Sequence, residues 1–335
     1  MARDDVLNLP LNAVRVLVTG AGGPAAVSVL KSLGADQTVT LLAADMDPWA
    51  AGLYLVPPEA RTLIPAGLDP GFVEATLARC IAMDADVLVP TVDAELRPLA
   101  RARAQFARAG IALLLAPDEA LDVTLDKLAL AQRCAGRAPV PRTERLDRAT
   151  DPGSWTYPVV VKPRTGSGSR DISVVRSAQD LARMDTSGDF LVQQYLPGAE
   201  YSVDVLADAS GRVVASVPRV RERVDSGVSV AGRTLHDAEL ERLGATVAEA
   251  TGVTYIANVQ FRRDAAGRPA LLEVNPRVPG TLPLTVASGV DMPRMALDSL
   301  RGRPMPERAG FRDMAMVRFL EERFVPLGDL ERVAA

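Results

Sequence analysis

The chain has 335 residues, which is too long for one small hydrophobic core and predicts about two or three domains. Hydrophobic residues make up 48% and charged residues 24% of the sequence, so a largely disordered chain is excluded. A net charge of -4 without a basic block argues against nucleic-acid binding, and no apolar run approaches the roughly 20 residues of a membrane-spanning helix. The first residues carry charges but no apolar core, so we expect a cytoplasmic protein without a secretory signal or a membrane partner.

The first predicted element is a strand at Val14–Val18, followed by the glycine turn TGAGGPAA and an amphipathic helix. Gly20, Gly22 and Ala25 have the spacing of a dinucleotide-binding turn. Asp45 follows about 20 residues later, where an acidic residue would bind the ribose of the dinucleotide. Taken alone, this motif indicates an NAD-dependent oxidoreductase.

Short apolar segments and helical segments then alternate as far as about Pro117. Apolar strands with helices between them are typical of a parallel, doubly wound sheet. We therefore expect a Rossmann-like α/β domain over residues 1–117. Cys80 and Cys134 lack metal-type spacing and are expected to be reduced and buried. His236 is the only histidine of the sequence, which argues against a zinc site, and we expect it to cap a helix or lie on the surface.

Asp118–Ala135 is predicted as one helix, capped by Asp118 and carrying Lys127 mid-way. A series of prolines between residues 139 and 158 then marks a linker into a new unit. After the linker, apolar segments are separated by tight turns and few helices, a pattern that predicts antiparallel sheet. The rear part of the chain is therefore expected to be α+β.

A first candidate site lies in YPVVVKPRTGSGSRDISVV, where Lys162 ends a predicted strand and precedes the Gly/Ser loop Thr165 to Ser169. β-branched residues follow this loop, so it joins two strands and does not open the helix that a Walker-type phosphate loop requires. A glycine hairpin with a lysine at its base can close over a nucleotide phosphate. An ordinary surface hairpin is the alternative.

A second candidate site lies in the hairpin YIANVQFRRDAAGRPALLEVNPR. If Ala265 and Ala266 form a two-residue loop, Gln260 pairs with Leu271, and Gln260, Glu273 and Asn275 share one face of the sheet. Three oxygen donors with one formal charge suit magnesium that phosphate oxygens and waters also bind. Glu273 stands between apolar neighbours, where an unpaired carboxylate would be unfavourable, and this also favours a metal site.

A third candidate is FLVQQYLPGAEYSVDVL. Its strand runs through Gln194, Tyr195 and Leu196 into a Pro-Gly turn, and it can offer backbone groups to a purine edge. Glu200 would lie near the ribose hydroxyls. A plain strand and turn is the alternative.

Together these three motifs resemble the ATP-grasp superfamily in order and spacing, and the glutamine at the first metal position resembles its carbamoyl-phosphate-synthetase-like branch. The resemblance covers Asp118 to about Asp298, together with the Rossmann-like front. It implies an ATP-grasp fold with three parts: a Rossmann-like domain (1–117), a small lobe with a linker helix and a mobile lid (118–195), and a large antiparallel-sheet lobe (196–335).

The resemblance also implies the cofactors, which are ATP and one or two Mg²⁺ ions, with Mn²⁺ as a substitute. Phosphate-binding and catalytic roles are carried over to Lys127, Lys162 and Arg277. The loop over the phosphates corresponds to Thr165, Gly166, Ser167, Gly168 and Ser169. Adenine and ribose are assigned to Gln194, Tyr195, Leu196 and Glu200, and the metal to Gln260, Glu273 and Asn275.

The implied activity is that of a carboxylate–amine ligase, which forms an acyl phosphate and then an amide on a small molecule. Arg219, Arg221 and Arg223 alternate along one predicted strand and would hold the substrate carboxylate, with a solvated basic edge as the alternative. Gly22 would line the cleft for the second substrate. Activation of bicarbonate, an oxidoreductase and a non-catalytic nucleotide sensor are the other hypotheses, and the resemblance allows a homodimer.

Overall fold

The computed structural model describes residues 13–166, 171–225 and 228–334. The front of the chain forms a five-stranded parallel sheet in the order β3-β2-β1-β4-β5, which confirms the predicted doubly wound architecture. Its elements are β1 (Val14–Val18), α1 (Pro24–Leu33), β2 (Val39–Asp45), β3 (Arg61–Leu63), α2 (Phe72–Ala82), β4 (Val87–Val89), α3 (Asp93–Arg101), α4 (Arg103–Arg108) and β5 (Ala112–Leu113).

The glycine turn after β1 forms because a side chain would not fit there. Gly20 has a φ of 64°, and a Cβ on it would lie 2.5 Å from a methyl group of Val92. Gly23 then caps α1, and Pro24 occupies its first turn, where a proline needs no hydrogen-bond partner. Because β1 pairs with β2 on one side and with β4 on the other, the turn lies at the switch point of the sheet, where α/β proteins bind ligands.

The predicted single helix over Asp118–Ala135 is wrong. The structure has two helices, α5 (Asp118–Thr124) and α6 (Lys127–Cys134), because the Asp126 side chain accepts hydrogen bonds from the backbone N–H groups of Leu128 and Ala129 and starts a new helix. Asp118 is not the side-chain cap of α5. Lys127 therefore begins the second helix instead of lying in the middle of one.

A small lobe follows, with four antiparallel strands in the order β6-β9-β7-β8. It has a hydrophobic core of its own, formed by Leu146, Trp155, Val159, Val161, Val175, Leu181 and Val192. Its elements are β6 (Thr143–Arg145), β7 (Val159–Pro163), β8 (Ser173–Val175), α7 (Ala178–Ala182) and β9 (Phe190–Gln194).

The rear of the chain forms a six-stranded sheet in the order β14-β13-β10-β11-β12-β15, with every described pairing antiparallel, as predicted. Its elements are β10 (Glu200–Ala207), β11 (Val213–Asp225), β12 (Val228–Thr234), α8 (Ala238–Thr251), β13 (Tyr255–Arg263), β14 (Pro269–Asn275), α9 (Leu282–Ala287), α10 (Met292–Leu300), β15 (Ala315–Val317) and α11 (Leu327–Ala334). Helix α8 covers one face of this sheet, where Gly244 packs against Val203. Residues at even positions of β10, such as Ser202 and Asp204, point to the opposite face.

The front and rear sheets share one continuous hydrophobic core. Helix α1 of the front contacts α9 and α10 of the rear, where Ser32 donates a 2.5 Å hydrogen bond to Asp291. Helix α11 returns to the front sheet and contacts β3. Among the described residues, no helix is long and apolar enough to cross a membrane. The functional division at residues 117 and 195 stays a prediction.

Candidate active site

A cavity of about 980 Å³ is lined by residues from the front sheet, the small lobe and the rear sheet. Most of the predicted site residues line it: Gly22, Lys162, Gln194, Tyr195, Leu196, Glu200, Arg221, Gln260, Glu273, Asn275 and Arg277. Among the described residues, those predicted for the site but not part of this lining are Lys127, Thr165, Gly166, Arg219 and Arg223. Ser167, Gly168 and Ser169 lie outside the described residues.

The predicted pairing of Gln260 with Leu271 is wrong. Leu271 pairs with Phe261, Leu272 is an extra residue at a bulge, and Gln260 pairs directly with Glu273. At the bulge the Leu271 N–H donates to the carbonyl of Pro139, a residue far away in the sequence. The connection between the strands, residues 264–268, is also longer than the two residues assumed. Gln260, Glu273 and Asn275 nevertheless share the face that lines the cavity.

Two polar residues of this face were missed in the sequence. Asn258 pairs with Asn275 across the strands, and Ser202 of β10 pairs with Gln260; both are buried and line the cavity. Asn258 lies two residues before Gln260 on β13, and because residues two apart on a strand share a face, the sequence could have placed Asn258 beside Gln260. The position of Ser202 was not readable, because it depends on the pairing of β10 with β13, which are far apart in sequence.

The donor set of this face fits a hard divalent cation. Asn275 donates a 3.3 Å hydrogen bond from Nδ2 to Oε1 of Glu273, which turns the Asn275 carbonyl oxygen away from Glu273. No group of three His, Cys, Asp or Glu side chains that could hold a metal is found in residues 13–166, 171–225 and 228–334. A cation on this face would thus be bound by one carboxylate and by amide oxygens, with its remaining ligands from waters or a phosphate.

Lys162 lies at the end of β7 and is only 6% exposed. The pKa of its ammonium group is lowered to about 8, mainly by burial and to a smaller extent by Lys127, whereas Glu273 and Glu200 act in the opposite direction. Because burial disfavours the charged form of Lys162, a bound anion such as a phosphate would stabilise its ammonium group.

Lys127 lies at the base of the Gly/Ser loop. Its Nζ atom donates a 2.7 Å hydrogen bond to the carbonyl of Gly166, and its backbone N–H donates to Arg164. Arg164 in turn pairs with Asp126, the residue that caps α6, at 2.6 to 2.9 Å. The start of α6 and the start of the loop are thereby held together. Thr165 and Gly166 are exposed.

One end of the cavity is apolar. Val160, Ile172 and Val174 of the small lobe line it together with Leu196 and Leu272. Ile172 and Val174 are 46% and 47% exposed although they lie at a sheet, so they offer an open apolar surface to a flat ring. In the sequence, these β-branched residues indicated only strand structure, and their place in the site was missed.

The three predicted substrate arginines do not lie together. Arg219 is 2% exposed and forms a bidentate pair with Asp204. Arg221 lines the cavity and pairs with Glu200, the predicted ribose ligand. Arg223 follows an irregularity in the pairing of β11 with β12 and is exposed. The predicted regular alternation therefore does not hold beyond Arg221.

Arg277 connects the rear sheet to the front domain. It donates to both carboxylate oxygens of Asp93, at 2.7 and 2.8 Å, and Asp93 is the first residue of α3. Asp45, in contrast, accepts hydrogen bonds from the backbone N–H groups of Gly22 and Asp47, so it stabilises the glycine turn. This arrangement weakens the hypothesis that Asp45 binds a ribose.

Glu95 of α3 is a further cavity residue that was missed. It is 5% exposed and accepts a 2.5 Å hydrogen bond from the hydroxyl group of Thr19. The pKa of its carboxyl group is raised to about 7, chiefly by burial and to a smaller extent by the nearby Asp45, whereas the hydrogen bond from Thr19 acts in the opposite direction. His236 lies outside the cavity lining, where its half-exposed ring stacks on Phe311 at 4.1 Å.

Two family models match the chain. Residues 186–323 match the model described as ATP-grasp in the biosynthetic pathway with Ter operon, and residues 16–114 match the PylC-like N-terminal domain. The carbamoyl phosphate synthase large chain of Thermomicrobium roseum is 31% identical over 234 residues, which are 62% of this chain and 21% of that protein. The chain thus spans about a fifth of the length of this relative.

Solved structures share the fold. The N5-carboxyaminoimidazole synthetase of Staphylococcus aureus complexed with ADP has a TM-score of 0.72 at 14% identity, covering 91% of this chain and 82% of that one. The biotin carboxylase domain of Hydrogenobacter thermophilus 2-oxoglutarate carboxylase, in complex with MgADP, ADP and bicarbonate, has a TM-score of 0.72 at 18% identity, covering 89% and 72%.

The two family matches confirm the predicted resemblance to the ATP-grasp superfamily of carboxylate–amine ligases, and the solved structures confirm the fold. The similarity to the carbamoyl phosphate synthase large chain agrees with the branch that the sequence motifs resemble.

Proposed function

We propose that this protein activates the carboxylate of a small molecule with ATP and joins it to an amine, releasing ADP and phosphate. The observation that carries the proposal is the convergence of Lys162, the Gln260–Glu273–Asn275 face and Arg277 on one cavity. Phosphoryl transfer depends on positioning and on charge neutralisation, so such a site needs no histidine.

The cavity offers a distinct region for each part of ATP. The apolar wall with Ile172 and Val174 suits the purine, and the adjoining strand end at Gln194–Leu196 provides backbone groups for its edge. Glu200 would accept hydrogen bonds from the ribose. Lys162 would bind the phosphates, and Lys127 would fix the base of the loop beside them.

Gln260, Glu273 and Asn275 would hold the Mg²⁺ ion, which supplies charge neutralisation at the β- and γ-phosphates. An oxygen of the substrate carboxylate attacks the γ-phosphorus, and the bond to the β-γ bridging oxygen breaks, which gives an acyl phosphate and ADP. The amine then attacks the acyl carbon; phosphate leaves, and the amine nitrogen loses a proton. Arg277 would stabilise the transferred phosphate, and Arg221 is the arginine of β11 that can reach the substrate.

Activation of bicarbonate is a second candidate, favoured by the similarity to a carbamoyl phosphate synthase. In that case the first product would be a carboxyphosphate. Our sequence predictions of small-molecule substrates, a cytoplasmic location and a homodimer are retained in both proposals.

The test is ATP-dependent formation of hydroxamates, because hydroxylamine traps an acyl phosphate before the amine is known. Purified protein is incubated with Mg-ATP, hydroxylamine and a panel of amino acids, short peptides and keto acids, and bicarbonate is tested separately by release of ADP. Lys162→Ala should abolish the signal. Arg183→Ala is the matched control, because Arg183 follows α7 in the same lobe and its side chain is 77% exposed.

A hydroxamate that forms with one acid and is lost only in Lys162→Ala would support the ligase. ADP release with bicarbonate alone would favour the second candidate. Absence of ATP binding in the wild-type protein would refute both.

A further inference from the structure

Asp204 lies on the same face of the rear sheet as Ser202 and Asn258, and it is completely buried. It is not part of the cavity lining. Both of its carboxylate oxygens accept hydrogen bonds from Arg219, at 2.6 and 2.8 Å. Oδ1 also accepts a 2.8 Å hydrogen bond from Nδ2 of Asn258, and Oδ2 accepts a 2.5 Å hydrogen bond from the hydroxyl of Thr285.

These contacts fix the orientation of two side-chain amides, first that of Asn258 and through it that of Gln260. A carboxylate that accepts from arginine at both oxygens can only accept, so Asn258 must turn its NH₂ group towards Asp204. The carbonyl oxygen of Asn258 then faces Gln260, and it accepts a 3.3 Å hydrogen bond from Nε2 of Gln260. With its NH₂ group used in this way, Gln260 has its carbonyl oxygen left for the cavity. An amide in the opposite orientation would present N–H groups, which repel a cation.

We propose that Asp204 is a positioning residue, which acts through Asn258 to turn the carbonyl oxygen of Gln260 towards the metal. The proposal rests on the proposed function in one respect, since it takes the Gln260–Glu273–Asn275 face as the Mg²⁺ site. Arg219 has its place in the same arrangement: it neutralises Asp204 and keeps both carboxylate oxygens as acceptors. This explains why Arg219, although predicted as a substrate ligand, is buried away from the cavity.

The test measures the affinity for Mn²⁺ in the presence of a non-hydrolysable ATP analogue, by the electron paramagnetic resonance signal of free Mn²⁺. Thr285→Val is the matched control, because it removes one hydrogen bond from Asp204 but keeps the carboxylate. We expect the Mn²⁺ affinity of this variant to stay at the wild-type value.

Asp204→Asn is then added to Thr285→Val. With the hydroxyl absent, the NH₂ group at position 204 finds its acceptor in Asn258, so Asn258 and Gln260 both turn round. Outer-shell substitutions of this kind lower metal affinity about 10–100-fold, and we expect a loss in that range. Adding Asn258→Asp restores an acceptor opposite Gln260 and should recover most of the affinity.

An unchanged affinity in Thr285→Val with Asp204→Asn would overturn the proposal, as would a loss that Asn258→Asp does not recover. A neutron structure of the wild-type protein provides a test without substitutions, since it distinguishes the ND₂ group of each amide from its oxygen. We expect the ND₂ group of Asn258 towards Asp204 and that of Gln260 towards Asn258, and the reverse would refute the inference. If the wild type binds no Mn²⁺ with the analogue, the proposed function fails, while the neutron result still decides the orientation.

Discussion

The buried carboxyl group of Glu95 makes a quantitative prediction about stability. Burial raises its pKa from an ordinary value of 4.5 to about 7. Each pKa unit corresponds to about 1.4 kcal/mol, so ionised Glu95 lowers the free energy of unfolding by about 3 kcal/mol. Replacement by glutamine keeps the size of the side chain and an oxygen that can accept from Thr19, but removes the titration.

The effect of Glu95 on the free energy of unfolding depends on pH. Below pH 4.5 the carboxyl group is protonated in the folded and in the unfolded protein, so burial has no electrostatic penalty. Between pH 4.5 and 7 the unfolded chain ionises first, so the folded state loses stability as the pH rises, and above pH 7 the loss levels off. Glu95→Gln should therefore be more stable than the wild type at pH 8, and this advantage should nearly vanish at pH 4.5.

The assay is urea unfolding of both proteins at pH 5 and pH 8. We expect the difference in free energy of unfolding to grow by about 2 to 3 kcal/mol between these values. Glu74→Gln is the control, since it makes the same chemical change at an exposed position of α2 and should show little dependence on pH. A difference that stays constant, or that shrinks towards pH 8, would refute a raised pKa at Glu95.

Three other substitutions have defined outcomes. Lys162→Met should abolish binding of Mg-ATP in a calorimetric titration. Because burial lowers the pKa of this lysine from 10.5 to about 8, the same substitution should raise the free energy of unfolding of the nucleotide-free protein at pH 7 by up to about 3 kcal/mol, and an unchanged free energy of unfolding would contradict the burial argument. Gly20→Ala should destabilise the protein by about 1–3 kcal/mol more than Gly110→Ala, because both glycines have positive φ but a Cβ at Gly110 meets nothing within 4 Å. Equal losses of stability in thermal unfolding would count against the steric explanation. Asp93→Asn should destabilise the protein by about 1–2 kcal/mol, between the values for exposed and buried ion pairs, because it weakens the partly buried salt bridge to Arg277. A double-mutant cycle with Arg277→Met measures this salt bridge, and the absence of coupling would show that it contributes nothing.

The parts of the fold that could be read from the sequence are those with strong local signals. The apolar runs of β1, β2 and β4 are buried strands because they are covered by helices, and the glycine turn after β1 follows from the needs of the backbone itself. The residues of the hairpin face, Gln260, Glu273 and Asn275, could be grouped because alternation alone decides which face a side chain takes.

The errors arose where a distant partner decides the local structure. The single predicted helix is broken at Asp126, whose side chain caps a new helix and also pairs with Arg164 of the small lobe. The hairpin register depends on a bulge whose N–H group bonds to Pro139. Arg219 was assigned to substrate because its partner, Asp204, lies on a neighbouring strand, and a single sequence does not reveal such neighbours.

The separate core of the small lobe has a consequence for the cooperativity of the molecule. The front and rear sheets are packed into one core and should open only together, whereas the small lobe can lose its own packing without breaking theirs. Val160, Ile172 and Val174, which form the apolar wall of the cavity, belong to this independent unit. Amide hydrogens of β7 and β9 should therefore exchange with solvent at a lower opening free energy than those of β1 and β13. A ligand bound in the cavity should slow the exchange of the β7 and β9 amide hydrogens most.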